Sequence, residues 1–133
     1  MEQKEKELLL KDLSARLAYN TIVLIKNSGI WNLKGIEQDN IDEIGYEVIV
    51  WHGKNYPSSK TTFPISICKP YLFPLSSMNE EQRKEWQSFM IRDVYGILYH
   101  TIESYDYLDK HHFDYRGLIE SGLGIDATNL NIY

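Results

Sequence analysis

The sequence predicts an α+β domain: an N-terminal helix, a small antiparallel sheet of four or five strands, and a C-terminal helical region. Three observations predict it. Leucines recur at helical spacing in "ELLLKDLSARL". From residue 21 the pattern changes to short runs of β-branched and aromatic residues between turn signals. Past residue 77 helical spacing returns. At 133 residues the chain is one domain by size, divided into a helix (1–18), strands (21–73), a helical region (77–122) and a tail (123–133).

The first helix places Leu9, Leu10, Leu13 and Leu17 on one stripe, with Glu2, Glu5 and Glu7 at its N-terminal end. Asn20 suits the left-handed residue that ends it. "TIVLIKN", "IWNLKGIE", "YEVIVWH" and "TTFPISI" then read as four strands, broken at 27–29, 38–45 and 53–59. Their spacing predicts an antiparallel meander, curled into a small SH3-like barrel. Pro64 has no N–H to donate, so the fourth strand belongs at an edge or carries a bulge. Pro70 and Pro74 keep "KPYLFPLSS" extended. A second long helix is predicted to start at a capping box, either Ser77 with Glu80 or Asn79 with Gln82. Its stripe of Trp86, Phe89, Met90, Val94, Ile97 and Leu98 runs to about residue 100. "ESYDYLDKHH" is a short helix or a continuation past a bend. "YRGLIES" is predicted as one more helix, with Asp114 as N-cap and Gly122 as terminator. "HHFD" between them reads as a helix–helix corner pinned by a buried Phe113.

Composition excludes several function classes. Apolar residues make up 43% and charged residues 25% of the chain, as in ordinary globular proteins. The longest apolar run, "TIVLI", is strand-sized, so no membrane span is expected. "MEQKEKELLLKDL" has no leader character. The lone Cys68 can form no internal disulfide, and a reducing cytoplasm is expected. The net charge is −5, and residues 103–133, with six acids against Lys110 and Arg116, carry most of it. No basic run is present, so the means to neutralise the phosphates of duplex nucleic acid are missing.

Three stretches, "LLLKDLSARLAYN", "KPYLFPLSSMNEEQ" and "HHFDYRGLIESGLGIDA", together resemble an uncharacterised family of small proteins of prophages and mobile elements in gut anaerobes. The resemblance covers about half the chain. Ala18 stands where that family has Pro, Asn20 where it has Gly, Phe73 where it has Arg and Asn79 where it has Thr. The resemblance implies a phage-related origin and a shared fold. It carries over no activity and no catalytic residue, and Phe73 weakens any anion-binding role there.

Candidate sites remain. His111 and His112 suggest a metal, with Asp114, His52 or His100 as further ligands. Neighbouring helical residues point about 100° apart, however, and no paired-ligand spacing is present, so neither metal nor cofactor is expected. No Gly-x-Ser-x-Gly elbow or phosphate loop appears, "SSM" reads as capping and Cys68 as core. Glu103, Asp106 and Asp109 recur every third residue, the pattern of a solvated acidic face. The aromatic density is the sharper signal: Tyr95, Tyr99, Tyr105, Tyr107, Phe113 and Tyr115 fall within 21 residues. Tyrosines of this kind suit an interface. The candidate binding surface is therefore Tyr99, Tyr105, Asp106, Tyr107, Asp109, His111, His112, Tyr115 and Arg116. Trp31, Trp51 and Tyr56 on the strands form a second candidate patch. Three functions fit. The first is a non-catalytic phage-derived protein that binds and inhibits a host protein. The second is a small-ligand sponge for a nucleotide signal, using Arg116. The third is a metal-dependent enzyme. A homo-oligomer is left open.

Overall fold

The computed structural model describes residues 1–39, 45–52 and 60–133. Helix α1 spans Gln3–Ala15 and buries Leu9 and Leu13. A 3-10 turn over Leu17–Tyr19 follows, and Asn20 at φ 52° closes it in the left-handed conformation its side chain tolerates. Strands β1 (Ile22–Ile25), β2 (Gly29–Asp39), β3 (Gly45–Trp51) and β4 (Lys60–Pro64) form the antiparallel meander. Val23, Ile25, Trp31, Leu33, Val48 and Val50 alternate onto one face and share a core cluster with Leu9 and Leu13. The helix stripe and the strand alternation thus bury each other. β4 lies at the sheet edge with Pro64 at its end, where the missing N–H costs no ladder bond.

The sheet does not close into a barrel. Strand β5 (Cys68–Pro74) pairs with β1 over its first residues. Its remaining residues pair in parallel with two short C-terminal strands, β8 (Phe113–Asp114) and β9 (Ile125–Asp126). The outcome is an open, mixed sheet of seven strands among the described residues, in the order β4-β3-β2-β1-β5-β8 with β9 also on β5. The C-terminal chain occupies backbone that a barrel would use for closure. Residues expected as a tail therefore belong to the sheet, with Leu123 and Ala127 buried.

The second helix also departs from expectation. Helix α2 spans only Glu80–Ser88, opened by the Asn79–Gln82 capping box. The chain then turns into a hairpin, β6 (Ile91–Arg92) and β7 (Leu98–Tyr99), whose strands pair with each other alone. Gly96 at φ 81° and the Asp93 carboxylate make the turn. That carboxylate accepts from the Tyr95 N–H at 2.8 Å and the Ile97 N–H at 2.9 Å. A glycine and β-branched neighbours are poor helix interior, and an aspartate that caps a turn wins the competition.

Helix α3 spans Ile102–Lys110 and starts at a second capping box, Thr101 with Ser104. His111 caps its C-terminus and His112 is left-handed at φ 63°. The corner is real and Phe113 is buried, but it leads from helix to strand. "YRGLIES" forms hydrogen-bonded turns rather than a helix. Asp114 does accept from the Leu118 and Ile119 N–H groups, at 3.0 and 2.9 Å, and Gly122 does take a positive φ of 77°. The left-handed Gly117, at φ 76°, prevents that cap from nucleating a regular helix.

Candidate functional site

Asp12 and Arg16 stand one turn apart on α1, and both are wholly buried. The guanidinium forks onto the carboxylate, with Nε to Oδ2 at 2.9 Å and Nη2 to Oδ1 at 3.0 Å. Nη2 also donates to the Phe113 carbonyl at 2.6 Å. From the C-terminal region Arg116 Nη1 donates to Asp12 Oδ1 at 3.0 Å. Asp109 Oδ1 lies 3.9 Å from Arg16 Nη2 and 3.7 Å from Arg116 Nη1, and accepts from the Tyr115 hydroxyl at 2.9 Å. Two acids and two bases therefore neutralise one another where the chain's two ends meet. Burial holds the Asp109 carboxyl above the usual range, although Arg16, the Tyr115 bond and Arg116 all pull it down. The Tyr115 phenol is likewise pushed up, by burial and then by its bond to Asp109.

This network removes Asp109, Tyr115 and Arg116 from the expected exposed face. Arg116 already serves Asp12 and lies 4.4 Å over the Tyr115 ring, so its guanidinium is engaged in the fold. Tyr107 is also buried, in a second cluster with Met78, Leu108 and Phe113. His112 packs its ring on Tyr133 at 3.7 Å, nearly parallel, and His111 packs on Tyr107 at 4.4 Å. Of the expected surface, Tyr99, Tyr105 and Asp106 are exposed.

The exposed apolar surface lies mainly on residues outside that set. Val94 keeps 93% of its surface in water, Tyr95 85% and Ile102 77%. Ile91, Ile97, Tyr99 and Phe89 are exposed as well. All lie on the hairpin or at its two roots. The Thr101 hydroxyl donates to the Phe89 carbonyl at 2.5 Å and ties the roots together. Beside Phe89 lies a groove of about 230 Å³ whose walls include Glu85, Glu103, Asp106 and Tyr107. The Tyr107 phenol is raised by burial first and then by Glu85 and Glu81. The signal for this surface was present in "DVYG", a turn tetrapeptide inside an otherwise helical apolar spacing.

Of the second expected patch, Trp31 and Trp51 lie on opposite faces of the sheet. Trp31 lies on the buried face, stacked on His52 at 3.6 Å. Trp51 pairs with Asn32 and so faces the opposite side, with the Lys34 ammonium 5.6 Å above its ring. Tyr56 lies outside the described residues. Burial pushes the Cys68 thiol up to about 12, so it stays protonated and is no nucleophile. Among the described residues no group of three or more His, Cys, Asp or Glu side chains is placed to hold a metal. Among them, too, no helix is long and apolar enough to cross a membrane. Comparison with protein-family models, curated proteins and solved structures finds no match for this chain.

Proposed function

We propose that the protein is a non-catalytic binding protein that docks a partner protein on the β6–β7 hairpin and the acidic groove at its root. The observation that carries this reading is the exposure of Val94, Tyr95, Ile97 and Ile102 on and beside a hairpin whose strands, among the described residues, pair only with each other. Contiguous apolar surface rimmed by charge is the mark of an interaction site. On the groove's walls Glu85, Glu103 and Asp106 outnumber the single cation Lys110, so the partner surface is apolar at its centre and basic at its edge. A symmetric pair of such faces would set acid against acid, which disfavours a second copy of this chain as occupant.

The wider reading follows the resemblance: a phage-derived protein of the host cytoplasm that inhibits a host protein. Asp12, Arg16, Phe113, Tyr115 and Arg116 all lie inside the motifs that carry the resemblance, and together they build the buried clasp. The hairpin, Glu103 and Asp106 lie outside those motifs. The test is affinity capture with the wild type and with a Val94→Ser/Tyr95→Ser variant. A partner retained by the first and lost by the second supports the reading. A partner retained equally by both places the binding surface elsewhere.

A further inference from the structure

Away from the hairpin, a cleft of about 460 Å³ opens between the end of α3, β5 and the C-terminal residues. That volume is in the range of small-molecule sites. Phe73, Phe113 and Tyr133 supply apolar walls, with ring centroids 6.2 Å apart for the first pair and 5.8 Å for Phe73 and Tyr133. The Tyr133 hydroxyl accepts from the Ile22 N–H at 2.9 Å and donates to the Tyr71 carbonyl at 2.8 Å, so its ring is a fixed wall. The polar lining has an unexpected composition. Residues 103–133 carry net charge −4, yet none of the residues lining this cleft is acidic. Lys110 is there as a cation. Gln82 is there with its carbonyl oxygen taken by the Asn79 N–H at 2.9 Å, which leaves its NH₂ as donor.

His112 completes the wall. It is only 9% exposed, and its Nδ1 has no hydrogen-bond partner among the described residues. Its backbone is left-handed at φ 63°, a conformation that costs a residue other than Gly or Asn. A strained, buried, incompletely satisfied imidazole is an unusual choice for a mere corner, because Asn or Gly would turn the chain at less cost.

We infer that this cleft binds a small planar anion: an aromatic or heteroaromatic ring bearing a carboxylate or phosphate. The ring lies against Phe73 and Tyr133, and the anionic group meets Lys110 and the Gln82 amide. The cleft includes no residue of the β6–β7 hairpin, although Lys110 and His111 line both it and the groove at the hairpin's root. Two sources share this chemistry, nucleotides and aromatic acids, and they are separable by experiment. Imidazole signals of His111 and His112 are followed by NMR while the full chain is titrated with adenosine 5′-monophosphate or 4-hydroxybenzoate. Adenosine and inorganic phosphate serve as partial ligands. The expected result is saturable shifts with one or both anionic ring compounds, and binding at least about tenfold weaker for either partial ligand. Lys110→Ala, at an exposed position, should weaken the binding by about tenfold or more, and Val94→Ser/Tyr95→Ser should leave it unchanged. His112→Asn keeps a residue suited to positive φ and should also lose affinity while the circular dichroism spectrum is retained. Absence of shifts with both anionic compounds up to millimolar concentration overturns the inference. So does binding that is indifferent to Lys110→Ala.

Discussion

Arg16 has no exposed surface, and Asp12, the Phe113 carbonyl and, more distantly, Asp109 surround its guanidinium. Removing one partner of such a network leaves an uncompensated buried charge. Asp12→Ala is therefore expected to destabilise the fold by about 3–5 kcal/mol, and a further Arg16→Met substitution should restore part of the loss. Denaturant titration of the two single variants and the double variant measures the coupling, and additive losses would deny it. His112 gives a second expectation. Burial, with smaller contributions from Arg16 and His111, lowers its pKa from 6.5 to about 4. Between those values the unfolded chain binds a proton that the folded chain refuses. Stability from this residue is thus full above pH 6.5 and is lost as pH falls towards 4, by about 3 kcal/mol. Urea midpoints across that window should fall in the wild type and fall less in His112→Asn. At this scale the sequence was partly legible. The left-handed Asn20 and the buried Phe113 were legible, and the Asn79 capping box was one of two alternatives. The burial of Asp109 and Arg116 was not legible, because their partners Asp12 and Arg16 lie about a hundred residues away and no local pattern records such a pairing.

Among the elements, the hairpin decides the functional reading. The spacing of Trp86, Phe89, Met90, Val94, Ile97 and Leu98 fits a helix stripe, and that fit hid the turn at Asp93–Gly96. A periodic pattern reports which residues would share a face if the helix continued, not whether it continues. Gly96 at positive φ and the Asp93 carboxylate end the question locally. Because Val94 and Tyr95 touch little of the fold, replacing both by Ser should change stability by less than about 0.5 kcal/mol. Gly96→Val should instead cost at least about 1 kcal/mol of hairpin stability through its strained φ, read as faster hydrogen exchange at Tyr95 and Ile97. Equal exchange in wild type and variant would mean the turn is not held as described. "YRGLIES" shows the converse error. Asp114 does accept from the Leu118 and Ile119 N–H groups and Gly122 does take a positive φ, but no helix forms for them to cap, because Gly117 breaks the segment between them.

Taken whole, the molecule is a meander and helix extended by the strands at 113–114 and 125–126, with an exposed hairpin set between α2 and α3. The α+β class and the order of the first four strands were legible from periodicity. The open sheet was not, since β8 and β9 are two residues long and carry no periodic signal. Their parallel pairing with β5 is visible only in three dimensions. The acidic rim predicts how association behaves: Glu103→Lys with Asp106→Lys should slow binding of the captured partner and flatten its salt dependence, with dissociation little changed. Stopped-flow association at several ionic strengths reads this directly. The central claim, that the hairpin is the docking element, is tested most directly by site-specific photo-crosslinking. A photoreactive residue is placed at Val94 in one protein and at Ile30, exposed on the sheet, in another. The account predicts a crosslink at position 94 to one defined partner, through a segment flanked by Lys or Arg, and none at position 30. Crosslinking at position 30 with none at position 94 would contradict it.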